Sequence, residues 1–368
     1  MSDLSYSHCI TLDDFRKTSI LDGFHVNPNA VDEGQVMVKV DKLALTANSI
    51  SYVLAHQEGI LSYLDSFPAP EGLAHIPCWG YGDVVYSKSA DVAEGERLYG
   101  FFPIASHVIL TVGEAKPNGF TDTSPGRDAV APFYSEYNYA RREPGYAPEF
   151  EDTVMLFRPL FGTSYLLQSF CQDHEFFGAD RVIVTSASSK TAMGFGYLLQ
   201  KKYAEKVKTI GLTSPRNHDF VVGLDCFSEV LTYDQVDLID RGGKVLFFDV
   251  AGDRELLEKV HLWMGDAIAY SGQVGRTHWD ADHDDASVAL PGAKPVFWSG
   301  PDQVMKLRER HGGGGMMKVI GASMVDFLMA AHNWIKMMPA EGPEAIDNRV
   351  RSVLDGGVNA NEGVVLRP

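Results

Sequence analysis

From Gln35 to Leu45 apolar and polar positions alternate, with Val36, Val38 and Val40 set against Met37, Lys39 and Asp41. That period of two is the mark of a half-buried strand. Trp79-Gly-Tyr-Gly-Asp-Val-Val-Tyr and Glu96-Arg-Leu-Tyr-Gly-Phe-Phe-Pro read as further strands with glycines at their bends, so the chain is β-rich up to about Pro117. Residues 118–152 break the pattern. They are rich in Pro, Gly, Tyr and charge, include Phe133-Tyr-Ser-Glu-Tyr-Asn-Tyr, and predict a long irregular excursion, either a functional loop or a disordered insertion.

From Gly162 helix and strand alternate. Thr163–Phe177 has helical spacing, and Arg181-Val-Ile-Val-Thr gives a buried strand that runs into an apolar helix, Ala192–Tyr203. Strands follow at Val207–Thr213, Glu229–Thr232, Lys244–Gly252, Ala267–Val274 and Pro295–Ser299, with a helix at Arg254–Met264 whose Leu256, Leu257, Val260 and Trp263 share one face. Such alternation predicts right-handed βαβ units and a parallel sheet covered on both faces. Two helical patterns, Asp302–His311 and Lys318–Met338, flank the run Gly312–Gly315, which reads as a flexible joint. A short helix near Glu344–Leu354 and an extended stretch, Gly363–Leu366, end the chain.

At 368 residues, 45% of them hydrophobic, the chain has room for two domains with their own cores. Its 49 acidic against 32 basic side chains give a net charge of -17, which repels nucleic acid and anionic membranes at long range. Four separated cysteines, Cys9, Cys78, Cys171 and Cys226, signal neither a disulfide framework nor a zinc lobe and fit a reducing, cytoplasmic compartment. The first fifteen residues lack the apolar core of a secretory signal, and Val319–Ala331, which contains Asp326, is too short to span a bilayer.

The candidate chemistry begins at Thr185-Ser-Ala-Ser-Ser-Lys-Thr-Ala-Met-Gly, between a buried strand and a helix, where dinucleotide phosphates meet helix N-terminal amides. Ser186, Ala187, Ser188 and Ser189 stand where glycines usually permit close approach. Lys190 and Thr191 follow without the upstream glycine of a P-loop. A cation in the first turn opposes the helix dipole, a conflict that a bound anion removes; the alternative is a lysine in solvent and serines that only cap the helix. At the end of the next strand, Thr213-Ser-Pro-Arg-Asn carries no carboxylate to accept ribose hydroxyls. Ser214, Arg216 and Asn217 instead offer donors to a 2′-phosphate, favouring NADP over NAD, although Arg216 is also consistent with an ordinary surface cation. His278-Trp-Asp-Ala-Asp-His-Asp-Asp matches no metal-site spacing and reads as a solvated acidic loop, so no metal is expected. Tyr52, Tyr134 and Tyr137 are candidate proton donors to an enolate, and no G-x-S-x-G elbow supports hydrolysis.

In this order the segments resemble the medium-chain dehydrogenase/reductase superfamily, in particular its zinc-free quinone-oxidoreductase-like and enoyl-reductase-like branches. Leu45-Thr-Ala-Asn-Ser-Ile-Ser-Tyr is similar to the family's early Asn-containing segment. Ile76–Val85 resembles its glycine-rich strand, Glu94–Gly100 its next turn, Pro159–Tyr165 the entry to the nucleotide domain, and Arg181–Gly194 the dinucleotide loop. The resemblance covers nearly all of the chain outside 118–152. It implies a GroES-like β-rich domain built from both chain ends (1–160 and 300–368) and a Rossmann dinucleotide domain between them (161–299). The nicotinamide would lie in the cleft, and a homodimer would pair through the edge strand at Val296–Ser299.

Asn48 and its neighbours stand at the family's first zinc-ligand segment, and Gly80-Tyr-Gly-Asp replaces its Gly-His-Glu, which disfavours zinc-assisted alcohol oxidation. The resemblance implies an NADPH-dependent reductase of a small conjugated carbonyl compound, an enone, quinone or related ketone, with Tyr52 as proton donor. Asn48 and Thr163 would flank the nicotinamide; Asp249, Val250, Ala251 and Gly252, with Val274 and Gly275, would border its ribose. The alternative is a non-catalytic ligand- or partner-binding protein on a reductase fold, motivated by the altered glycine loop.

Overall fold

The structure is a computed structural model that describes residues 4–57, 63–274 and 290–368. The chain divides into two compact units, Met1–Leu156 with Ile335–Pro368, and Phe157–Trp334.

The first unit carries β1 (Leu4–Thr11), β2 (Thr18–His25), β3 (Gln35–Leu45), α1 (Ala47–Gln57), β4 (Leu73–Ala74), β5 (Pro77–Ser87), β6 (Arg97–Pro103), β7 (His107–Lys116), β8 (Gly119–Asp122) and β9 (Glu136–Tyr139). A helix, α2 (Glu151–Asp173), then crosses the boundary between the units. Strands β3, β5, β6, β9, β8 and β7 pair in that order, and β7 returns to β3, so the sheet closes into a barrel and leaves these strands no free edge. The predicted strand at Gln35–Leu45 is β3, and Met37 as well as Val36, Val38 and Val40 is fully buried because the strand pairs with both β5 and β7.

Two expectations for this unit need correction. Residues 118–152 are not an irregular excursion: β8 and β9 lie within them and complete the barrel, with Phe120, Tyr137 and Tyr139 in its core. The glycines of Trp79-Gly-Tyr-Gly do not mark bends. They sit inside β5, where a Cβ on Gly80 would stand 2.1 Å from the Lys42 carbonyl oxygen and one on Gly82 2.8 Å from that of Lys39. Close backbone approach beside an irregular register, not turning, requires them.

The second unit contains β10 (Arg181–Val184), α3 (Lys190–Tyr203), β11 (Lys208–Thr213), α4 (His218–Gly223), β12 (Glu229–Thr232), β13 (Val245–Asp249), α5 (Arg254–Met264), β14 (Ile268–Gln273), β15 (Val296–Phe297) and α6 (Gly300–Ala331). Its sheet runs β12-β11-β10-β13-β14-β15, all parallel, which is the doubly wound Rossmann order with its switch point between β10 and β13. Helix α5 shows how sequence dictates the layer. The Asp253 side chain accepts from the Leu256 amide at 3.1 Å and starts the helix, and Leu256, Leu257, Val260 and Met264 bury one face. Each such side chain contributes about 1.5–3 kcal/mol.

The helix expected from Thr163 begins earlier, at Glu151, and runs through Pro159. The two helical patterns around Gly312–Gly315 form one assigned helix, α6, interrupted at Gly312 (φ 68°, ψ 164°). Only glycine adopts that conformation without strain. Helix α6 belongs to the second unit, so residues 300–334 do not group with the chain ends as the 300–368 boundary anticipated. The physical reason is aromatic: Phe327 is fully buried against Phe157, Phe161, Tyr197 and Trp334. By length and composition alone, Gly314–Ala331 is long enough to cross a bilayer, contrary to the expectation for Val319–Ala331; here its Phe327 side packs into the unit's core, and Asp326 pairs with Lys201 at 2.6 Å.

The chain then re-enters the first unit as β16 (Lys336–Glu341), α7 (Gly342–Leu354) and β17 (Glu362–Arg367). Met337 and Met338, expected at the end of a helix, lie in β16, which pairs in parallel with β17. β17 in turn joins β3 at Leu43–Leu45.

Candidate active site

At the switch point of the second unit, the predicted loop lies between β10 and α3. Ser186 takes a left-handed backbone (φ 52°), a conformation that usually belongs to glycine, and the chain turns there without one. The Ser189 side chain accepts from the Ala192 amide at 3.3 Å and caps α3, while the Ala187 amide donates to the Leu212 carbonyl at 2.9 Å. Asn217 Nδ2 donates to Ser188 Oγ at 3.1 Å, so the segment after β11 and the loop after β10 meet. With its oxygen accepting from Asn217, the Ser188 hydroxyl keeps its own proton to donate outward. Lys190 and Thr191 open the first turn of α3. Arg216 lies exposed on the short 3-10 turn Pro215–Asn217, which Ser214 precedes. Thr213 is fully buried and its Oγ1 has no hydrogen-bond partner.

Beside this loop the structure places a knot that the sequence did not reveal. Thr185 Oγ1 donates to Asp249 Oδ1 at 2.8 Å and accepts from the amides of Val250 and Ala251, both at 2.9 Å. The Gly252 amide donates to the same Asp249 oxygen at 3.0 Å, and the Val274 amide to the Asp249 carbonyl at 2.8 Å. Asp249, Val250, Ala251, Gly252 and Val274 are thus brought together, but the Val250 and Ala251 amides are consumed by Thr185 and are not free for a ligand. Burial, only partly offset by the Thr185 hydroxyl and the Gly252 amide, pushes the Asp249 carboxyl up from its ordinary range. Tyr233, also unanticipated, hydrogen-bonds Ser186, and burial pushes its phenol up to about 12.

Thr163 is half-buried on α2, and it is the neighbouring Ser164 that reaches α3, donating to the Thr191 carbonyl at 2.8 Å. A Cβ on Gly194 would meet Ser164 Oγ at 2.6 Å, so that glycine lets the two helices touch. Gly275 and the acidic stretch from His278 lie outside the described residues. Among the described residues no group of His, Cys, Asp or Glu is placed to hold a metal ion.

In the first unit Asn48 and Tyr52 share α1, four residues apart and so on one face, and Asn48 Nδ2 donates to Tyr52 Oη at 2.6 Å. Trp79 Nε1 donates to the same oxygen at 3.3 Å, while the Tyr134 hydroxyl nearby donates to Tyr63 Oη at 3.3 Å. The ring of Tyr52 lies 4.4 Å from that of Tyr63, 5.4 Å from Phe101 and 6.1 Å from Tyr134. Burial pushes the Tyr52 phenol well above its ordinary value, with the Trp79 and Asn48 bonds working against that rise. Tyr137, the third tyrosine considered, is excluded as a donor: it is fully buried, its hydroxyl donates to the Phe101 carbonyl, and it accepts from Arg127 Nη2 at 2.7 Å.

A family model described as "Protein of unknown function (DUF2855)" matches residues 43–359. The chain belongs to the DUF2855 family. No curated protein matches it. Among solved structures this DUF2855 chain is similar to CurA from Vibrio vulnificus in complex with NADPH (12% identity over 98% of each chain, TM-score 0.62). It is also similar to a mutant enoyl thioester reductase from Candida tropicalis (12% identity over 99% of this chain and 100% of that one, TM-score 0.60). A third is S. aureus TarJ in complex with NADPH (12% identity over 99% of each chain, TM-score 0.57). These likenesses establish for this DUF2855 chain the fold it shares with those proteins, a Rossmann-type domain with a GroES-like β-rich domain.

Proposed function

We infer that the chain is an NADPH-dependent, zinc-independent reductase of a small conjugated carbonyl compound, an enone, quinone or related ketone. The observation that carries this reading is the pair of donors around Tyr52 Oη: Asn48 and Trp79 both direct hydrogen bonds at one phenol oxygen. Donors aimed at an oxygen stabilise the negative charge left when it gives up its proton, and they leave its own O–H directed elsewhere. Tyr52 is therefore equipped to protonate an enolate, while burial keeps it protonated at neutral pH.

The dinucleotide would be held by the second unit. Its residues fit the group: Ser188 retains a free proton, Asn217 and Lys190 border the same loop, and α3, fourteen residues long, points its N-terminus there. Arg216 would meet a 2′-phosphate. Bound there, a reduced nicotinamide would supply the hydride; the chain's own residues orient, exclude water and move the proton. That CurA and TarJ were crystallised with NADPH supports the choice of dinucleotide.

The proposed partners are a small-molecule substrate and a second copy of the chain, paired through β15, whose Val296 and Phe297 are exposed at the sheet's end. Neither nucleic acid nor a membrane is a proposed partner, and the proposed compartment is the cytoplasm. A second reading, a binding protein without turnover, is favoured by Tyr233, whose hydrogen bond with Ser186 already occupies part of the loop.

NADPH is expected to raise the melting temperature far more than NADH does, and Arg216→Ala to narrow that difference. No rise with either dinucleotide at millimolar concentration would overturn the reading.

A further inference from the structure

Apart from the dinucleotide loop and the cluster around Tyr52, the first unit holds a cavity of about 410 Å³, within the range of about 300–1,000 Å³ usual for small-molecule sites. It lies between β1, β2 and β7 and the segments at 66–68 and 122–127, and none of Asn48, Tyr52, Trp79 and Tyr134 borders it. Phe24, Phe67, Pro68, Val108 and Leu110 give it apolar walls. Arg127, which also lines it, is 5% exposed and held on three sides. Its Nε donates to Asp122 Oδ2 at 2.6 Å, its Nη2 donates to Tyr137 Oη at 2.7 Å, and the Phe67 ring covers its face at 4.1 Å. What remains is Nη1, buried and with no hydrogen-bond partner among the described residues. Asp122 is not free to turn towards it, because its other oxygen accepts from the Thr111 amide and from the Ser124 amide and hydroxyl. Tyr6, on β1, lines the same cavity, and its Oη is likewise buried without a partner among the described residues. A buried donor left unpaired destabilises a folded chain, and two at one cavity point to an occupant that accepts from them.

We propose that this cavity binds a small, largely apolar, neutral carbonyl compound whose oxygen accepts from Arg127 and Tyr6. The proposal goes beyond the reductase reading and does not depend on it. Arg127 can only donate, and burial pushes the Tyr6 phenol up to about 12, so its proton is in place at neutral pH. The polar atom of the occupant is therefore an acceptor. Charge separates a carbonyl from an acid. Arg127 is already neutralised by Asp122, and burial pushes the imidazoles of His75 and His107, which also line the cavity, below their ordinary value. A carboxylate would bring an uncompensated negative charge against apolar walls, whereas the oxygen of a ketone, ester or amide brings none.

Ligand-observed NMR titration of the full-length protein, without NADPH, tests the site with methyl benzoate as the probe and benzoate as its charged counterpart. Methyl benzoate should saturate with a Kd of about 1 mM or below, and benzoate should bind at least about tenfold more weakly. Tyr6→Phe keeps the ring and removes only the unpaired hydroxyl. Its affinity for methyl benzoate should fall about tenfold, while its melting temperature without ligand holds or rises. A crystal structure of the complex should place the ester carbonyl oxygen within hydrogen-bond distance of Arg127 Nη1 and Tyr6 Oη. The proposal is overturned by no saturation up to the solubility limit, by benzoate bound as tightly, or by an unchanged affinity in Tyr6→Phe. A lower melting temperature in that variant, which would mean that the hydroxyl had a partner, overturns it too, as does binding at crystal concentration only.

Discussion

Two carboxylates, one in each unit, are equally hidden from water and behave in opposite ways. Glu151, at the start of α2, and Asp249, at the end of β13, are each 2% exposed. Burial alone would raise both. Around Glu151 the Arg97 guanidinium donates through Nε and Nη2 at 2.6 Å each, the Tyr146 hydroxyl donates at 2.6 Å, and Lys42 Nζ lies 3.1 Å away. These overturn the effect of burial and bring its carboxyl to about 2. Among the described residues Asp249 has only a hydroxyl and backbone amides, and its carboxyl stays above the ordinary range. The contrast separates a clamp from a site. Arg97 also binds Asp41 and Asp83 at 2.7 Å each, so Glu151 ties the first turn of α2 into a network spanning three strands of the barrel. Asp249 sits at the switch point with its charge uncompensated, the condition under which a strand-end carboxylate marks a functional place.

The largest effect is expected from breaking the clamp. Glu151→Ala leaves Arg97 without its bidentate partner and should cost about 3–5 kcal/mol, read by denaturant unfolding. The sign with pH follows from the lowered carboxyl: the contribution of Glu151 is complete above its ordinary value near 4.5 and is lost as pH falls towards about 2. Wild-type stability should decline through that window, and the Glu151→Gln variant should decline less. An equal slope in both would remove Glu151 from the account.

Next in size, Tyr52→Phe should lower turnover by about a hundredfold or more, while NADPH binding measured by thermal shift stays as in the wild type. Lys190→Ala should do the reverse, weakening NADPH by about tenfold with turnover at saturation unchanged. The two variants together assign proton chemistry to one unit and anion binding to the other; parallel losses of both properties would break that division. The smallest effect belongs to Asp249→Asn. The amide oxygen can still accept from Thr185 and Gly252 and the buried charge is gone, so stability at neutral pH should hold or rise by about 1 kcal/mol. A loss of several kcal/mol would show that the charge itself is needed.

The sequence was most informative where structure is local. The end of β11, the start of β12 and both ends of α5 fall where the apolar pattern put them, because Asp253 and the spaced apolar residues of α5 act within a few positions of one another. The loop from Ser186 to Lys190 was legible for the same reason. The first unit was less so. β8 and β9 are four residues each, too short to show alternation, and only their pairing with β7 and β6 makes them strands. The site around Tyr52 draws Asn48 from one turn away, but Trp79 from twenty-seven residues along the chain, and Tyr134 from a segment that read as irregular. The bond from Thr185 escaped notice because its partner Asp249 lies sixty-four residues away, on an adjacent strand of the parallel sheet. In α6 the apolar spacing survived the glycines and ran on past Ala331, so periodicity placed β16 in a helix.

The central claim is that this chain transfers a hydride and then a proton to a conjugated carbonyl compound. Incubation with NADPH deuterated at the nicotinamide C4, followed by mass spectrometry and NMR of the product, tests it directly. The account predicts one deuterium on the carbon that receives the hydride, on a single face, and none on that carbon when the solvent alone is deuterated, which labels the neighbouring carbon instead. Product without that label, or no product from any enone or quinone while NADPH is bound, would contradict it.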